Sequence, residues 1–158
     1  MKELSHMDEQ GRPKMVDVSG KPESLRIAVA KGLVKMQAAT FKRVKEGGIA
    51  KGDVFAVAQL AGIMAAKKTS QLIPLCHPIP IDEVKIEFEP DEKNSAVEIT
   101  ATVKSMGRTG VEMEALTATA VTALTIYDMV KGIDRGARIE NVRLVKKSGG
   151  KSGDITLE

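Results

Sequence analysis

Two neighbouring stretches of apolar/polar alternation constrain this fold more than any other feature of the chain. Val84, Ile86 and Phe88 alternate with Lys85, Glu87 and Glu89; after the polar break from Pro90 to Ser95, Val97, Ile99, Ala101 and Val103 alternate with Glu98, Thr100, Thr102 and Lys104. Successive side chains of a strand point to opposite faces, so each stretch buries one face only. Together they predict an antiparallel hairpin whose apolar face needs a cover. A cover follows directly. From Val111 to Ile133 apolar residues recur at helical spacing, predicting a helix of about 35 Å at about 1.5 Å per residue, after Gly107 and Gly110 have broken the strand.

Upstream, Asp53 is placed to cap a second helix running to Lys67. Val54, Val57, Ala58, Leu60, Ala61, Met64 and Ala65 give it a broad apolar face, so it is expected to be buried; its alanines and Gly62 permit close approach of a neighbour. Gln37 to Glu46 reads as a short helix stopped by Gly47 and Gly48. Ile27 and Val29 suggest a strand from Arg26, although the same alanine-rich stretch is compatible with a helix. Val142 and Leu144 suggest a final strand. This order of strand, helices, strand, strand, helix, strand is that of a ferredoxin-like α+β sandwich, an antiparallel sheet packed against helices. Residues 1–24, with Gly11, Pro13, Gly20 and Pro22, read as an irregular arm, 25–147 as the domain, and 148–158 as a flexible Gly/Lys-rich tail.

The chain has 158 residues, 42% of them hydrophobic, enough for one core. A net charge of +3 suits small anions better than a nucleic-acid coat, because three Phe, one Tyr and no Trp leave little for base stacking. A single cysteine excludes an internal disulfide and the multi-cysteine metal sites. No signal peptide or membrane span is read, and a cytoplasmic protein is expected. His6 lies in the polar arm and receives no role.

Chemistry-bearing residues concentrate in the segment KKTSQLIPLCHPIP, Lys67 to Pro80, which holds the only cysteine and three of the six prolines. Prolines bias Ile73, His77 and Ile79 to extended conformations, giving a rigid loop able to aim side chains. Equally, it reads as a bent connection with Cys76 as apolar filler and His77 merely hydrogen-bonded. The long helix carries Glu112, Glu114, Asp128 and Lys131. Glu114 and Asp128 are almost four turns apart and share a face; Asp128 and Lys131 are i, i+3 neighbours. An ion pair is the ordinary reading. The apolar neighbours Leu124, Ile126, Met129 and Val130 suggest partial desolvation, which would shift the pair's proton affinities towards those useful in proton transfer.

Gly107-Arg108-Thr109-Gly110 before this helix is either a phosphate-holding helix start or a simple turn. Near the end, Lys146, Lys147 and Lys151 lie in KKSGGKSG, a basic segment suited to a polyphosphate. It is not a P-loop, since Val145 stands where the first glycine belongs and too little chain follows for the helix. Lys51 precedes the second helix, where a surface lysine is the ordinary expectation. Phosphate-seeking cations are thus scattered over Lys51, Lys67, His77, Arg108, Lys131 and Lys147.

Three long segments, KGDVFAVAQLAGIMAAKKTSQLIPLCHPIPI, GRTGVEMEALTATAVTALTIYDMVKGID and KSGGKSG, closely resemble the molybdenum cofactor biosynthesis protein C family, the cyclic pyranopterin monophosphate synthases. HMDEQGRPKMVDVSGKP is similar to that family's N-terminal arm, so the resemblance covers nearly the whole chain. Leu25, Ile27 and Gly132 depart from it away from the expected catalytic positions. The resemblance implies a homohexamer, a trimer of dimers, with active sites at subunit interfaces. It implies a small-molecule substrate, a cyclised dihydro-GTP triphosphate supplied by a radical enzyme, converted to cyclic pyranopterin monophosphate with loss of diphosphate. No cofactor, metal, nucleic acid or membrane is implied.

Matched position by position, Asp128 is the active-site acid, with Lys51 and Lys131 as general acid/base partners. Leu75, Cys76 and His77 form the substrate-binding loop, Met113 and Glu114 a second contact, and Arg26, Glu112 and Lys147 complete the pocket. His77 and Lys147 are expected on phosphates, with Lys67 and Arg108 as further cations. The competing class is a non-catalytic phosphate-, nucleotide- or RNA-binding module on the same fold.

Overall fold

The computed structural model describes residues 7–158; His6 lies outside them. Five strands form one sheet in the order β2-β3-β1-β4-β5, all pairs antiparallel. β1 (Ser24–Lys35) is central, and β2 (Glu83–Asp91) and β3 (Ala96–Gly107) form the expected hairpin. The helices α1 (Ala38–Lys45), α2 (Val54–Lys67), α3 (Thr69–Leu72) and α4 (Glu112–Val130) complete the α+β fold with β4 (Arg138–Ser148) and β5 (Ile155–Thr156). The first four strands have the ferredoxin-like order. No helix among the described residues is long and apolar enough to cross a membrane.

The ambiguous segment after Arg26 is a strand. Its even positions Ala28, Ala30 and Val34 are buried, as are Val97, Ile99, Ala101 and Val103 of β3 beside it. Alternation, rather than alanine's helix preference, decides the outcome, because β1 must fill the space between β3 and β4. β2 extends through Pro90, which pairs with Val97; as an edge strand it tolerates a residue without an N–H. α4 stops at Val130, shorter than its apolar periodicity suggested, and α3 is a single turn inside the expected loop. The tail carries β5, which pairs with Lys146 and Lys147.

α2 corrects the expectation of a buried helix. Asp53 caps it as foreseen, its Oδ1 accepting the Ala56 N–H at 3.0 Å. Val54 at its start and the small-residue face, Ala58, Gly62, Ala65 and Ala66, are buried; Val57, Leu60 and Met64 are exposed. Gly62 explains the choice of face. A Cβ there would stand 2.1 Å from Thr122 Oγ1 and 3.2 Å from the Ala118 carbonyl oxygen of α4. Close approach selects small residues at the contact and leaves the large ones outside.

Candidate active site

The proline-rich segment is positioned by a turn and a strand. The Cys76 N–H donates to the Ile73 carbonyl at 3.1 Å, closing a turn with Pro74 at its second position. Further on, the Ser105 hydroxyl donates to the Pro80 carbonyl at 2.7 Å and ties the run to β3. Leu75, Cys76 and His77 thereby face a cavity of about 380 Å³ that also receives Glu112, Met113 and Glu114 from the first turn of α4. Thr109 and Gly110 form one wall, and Val16, Val18 and Lys21 of the N-terminal arm another.

Charges in this cavity are strongly unequal. Glu114 is 2% exposed, and burial pushes its carboxyl up to about 7, with the Glu112 charge adding to the rise. Burial and then Glu114 also raise Cys76, which keeps the thiol protonated and argues against a nucleophilic cysteine. Glu112 folds back over Gly110, so closely that a Cβ on that glycine would strike its carboxylate, and it pairs with Lys147 at 2.6 Å. Lys147 sits on β4 opposite Ala28 of β1. The Arg26 guanidinium donates to the carbonyls of Gly107 and Arg108, each at 3.2 Å, and packs against Gly150. Arg108 reaches Glu23 at 3.8 Å. The glycine-rich tail therefore wraps a guanidinium at the same end of the molecule.

At the other end of α4, Lys51 Nζ lies 3.0 Å from Asp128 Oδ2 and 2.7 Å from the Asp128 carbonyl oxygen. Lys131 Nζ meets Asp128 Oδ1 at 2.7 Å. Hydrogen bonds from Lys131 and then Lys51 hold the Asp128 carboxyl below its ordinary range, and Asp128 raises Lys131 in turn. The expected desolvation of this pair is not found: the side chains of Asp128 and Lys131 are 54% and 53% exposed. Ile126 and Val130 lie in the core, two residues to either side of Asp128 and so turned away from it. A cavity of about 540 Å³ adjoins the trio, lined by Arg43, Ile49, Lys51, Met129 and Ile133 among others.

The sequence placed Glu114 and Asp128 on one helix face, but fourteen residues at about 1.5 Å each separate them by about 21 Å. One chain therefore presents two groups at opposite ends of α4. Lys51, Asp128 and Lys131 form one; Arg26, Leu75, Cys76, His77, Glu112, Met113, Glu114 and Lys147 gather around the other. α2 runs antiparallel to α4, with Gly62 beside Thr122 and Lys51, just before α2, meeting Asp128. Lys67, the exposed last residue of α2, accordingly lies towards the Glu114 end. Residue-level sequence reasoning missed Val16, Val18 and Lys21, which no local pattern marks; only the resemblance of the arm pointed there.

Residues 15–150 match the MoaC family. Over 158 residues the chain is 59% identical to the cyclic pyranopterin monophosphate synthase of Heliobacterium modesticaldum, covering 100% of this chain and 99% of that protein. It is 60% identical over 150 residues to the protein of that name from a Thermoanaerobacter species, with 95% of each chain covered. With the one from Thermomicrobium roseum it shares 55% over 153 residues, 97% of this chain and 92% of the other. Agreement on this scale, running from the arm through both residue groups to the tail, establishes that the chain belongs to the MoaC family.

Proposed function

We propose that this chain is a lyase of molybdenum cofactor biosynthesis that forms cyclic pyranopterin monophosphate, the product its relatives are named for. Its substrate is 3',8-cyclo-7,8-dihydro-GTP, delivered by a radical enzyme in the cytoplasm, where both proteins act. Opening and rebuilding the purine-derived ring requires protons to be moved; closing the cyclic phosphate breaks the bond between the α- and β-phosphates and releases diphosphate. Asp128, Lys131 and Lys51 carry the proton transfers. Lys147, Arg26, Lys67 and Arg108 neutralise the triphosphate and its leaving group, while Leu75, Cys76, Met113, Glu114 and Glu112 hold the heterocycle.

One observation supports this reading most strongly. The two residue groups of a chain lie too far apart for one substrate, so the working site joins one group from each of two subunits, in a homohexamer built as a trimer of dimers. The half-exposed Lys51, Asp128 and Lys131 then become desolvated on assembly, and their proton affinities shift accordingly.

The test is incubation with the cyclised dihydro-GTP, with diphosphate and cyclic pyranopterin monophosphate followed together by mass spectrometry. Stoichiometric appearance of both is expected, with turnover abolished in Asp128→Asn and Lys51→Ala at unchanged thermal stability and assembly. Normal product formation by either variant would sink the proton-transfer assignment. Substrate left intact by the wild-type protein would sink the synthase reading itself.

A further inference from the structure

The arm crosses the Glu114-end cavity, and one contact there fixes a proton. His77 Nε2 lies 2.7 Å from the carbonyl oxygen of Val16, a residue 61 positions away in sequence. A carbonyl oxygen only accepts, so Nε2 carries the hydrogen and donates it. Neutral imidazole has one N–H; with that hydrogen on Nε2, Nδ1 holds the free lone pair. The contact is supported from both sides. Val16 and Val18 are partly buried in the cavity wall, and Pro78 keeps the His77 backbone extended.

Phosphate oxygens also only accept, and the sole N–H of a neutral His77 is already given to the arm. While the ring is neutral, the Nδ1 lone pair is matched to a donor, an N–H or O–H of the substrate's heterocycle, whereas a doubly protonated ring would offer Nδ1–H to a phosphate oxygen. Around it stand Asp17 in the arm and Lys21, Glu112 and Glu114 in the cavity wall. We propose that Val16 is a positioning residue: its backbone carbonyl fixes His77 as the Nε2–H tautomer and so makes Nδ1 the acceptor for a substrate N–H or O–H. The substrate half of this inference rests on the synthase reading; the tautomer half does not.

Two measurements test it separately. In the full-length chain with ¹⁵N-labelled histidine, above the pH at which imidazole protonates, a long-range ¹H–¹⁵N correlation identifies the protonated ring nitrogen. His77→Gln assigns the signals, since the chain has two histidines. A single Nε2–H species with a slowly exchanging ring proton is expected. A Val16→Gly/Val18→Gly variant, which loosens the arm, should speed that exchange. An Nδ1–H species, a mixture of tautomers in the wild type, or exchange unaffected by loosening would overturn the positioning role.

Gln places an amide N–H donor near Nε2 and nothing at Nδ1. His77→Gln should therefore keep its thermal stability while kcat falls roughly tenfold or more. An unchanged kcat with a raised KM would overturn the acceptor role and return His77 to the phosphates. Failure of the wild-type chain to turn over would fell the synthase reading while leaving the tautomer result standing.

Discussion

Glu114 and Asp128 are both carboxylates on α4, yet their surroundings move their protons in opposite directions. Two lysines at hydrogen-bond distance hold Asp128 low, whereas burial lifts Glu114 to about 7. Because the Glu114 carboxyl is raised above its unfolded value of 4.5, the folded state binds the extra proton between those limits. This contribution to stability is fully present below about pH 4.5 and declines as pH rises towards 7, by at most about 3–4 kcal/mol at about 1.4 kcal/mol per unit. Glu114→Gln should flatten this part of the stability profile and be the more stable protein at pH 8, as urea unfolding at several pH values would reveal. An identical slope in both proteins would mean that Glu114 is solvated. Sequence spacing named both carboxylates and the Asp128–Lys131 pair, because i, i+3 geometry is local. Lys51 approaches Asp128 from 77 residues away, and Val16 approaches His77 from 61, contacts that only the tertiary fold brings about.

At the level of elements, the contact between α2 and α4 carries the most specific demand. Gly62→Ala would drive its Cβ to 2.1 Å from Thr122 Oγ1, with backbone at 3.2 Å behind it. A loss of about 1–3 kcal/mol is expected from such overpacking. The clashing hydroxyl is itself buried without a hydrogen-bond partner, so Thr122→Ala alone should cost little. In combination with Gly62→Ala it should recover part of the loss, and a double-mutant cycle from thermal or denaturant unfolding measures the coupling. Strict additivity would mean that the helices separate rather than clash. Elements with a long internal period, β2, β3 and α4, were legible because each repeats its pattern several times. α3 and β5 were not: a single turn and a two-residue strand are held by the neighbours they pack on, not by any period of their own. The seven apolar residues of α2 do not share one buried face, because the closeness of α4 admits the small ones and leaves Val57, Leu60 and Met64 outside, with Val54 alone of the larger residues buried at the helix start.

Across the whole molecule, the exposed side of α2 and the two separated residue groups point to the same requirement. Val57, Leu60 and Met64 recur at i, i+3 and i+7, an apolar stripe open to solvent, with Leu124 of α4 also exposed. A chain that buries this stripe against another copy can bring the Asp128 end of one subunit to the Glu114 end of the next, which a single subunit cannot do along its own helix. Subunit mixing tests this directly. Asp128→Asn and His77→Gln subunits, each with strongly reduced turnover alone, retain opposite intact halves. Dissociated together in equal amounts and reassembled, they should form sites at random, of which about one in four receives both intact halves, since each half is intact with a chance of about one in two. Product formation near a quarter of the wild-type rate is therefore expected, rising from the low level of either variant alone. Activity that stays at the mean of the two separate variants would place both groups of a working site in one chain, and would require α4 or the arm to move far from the positions they hold here.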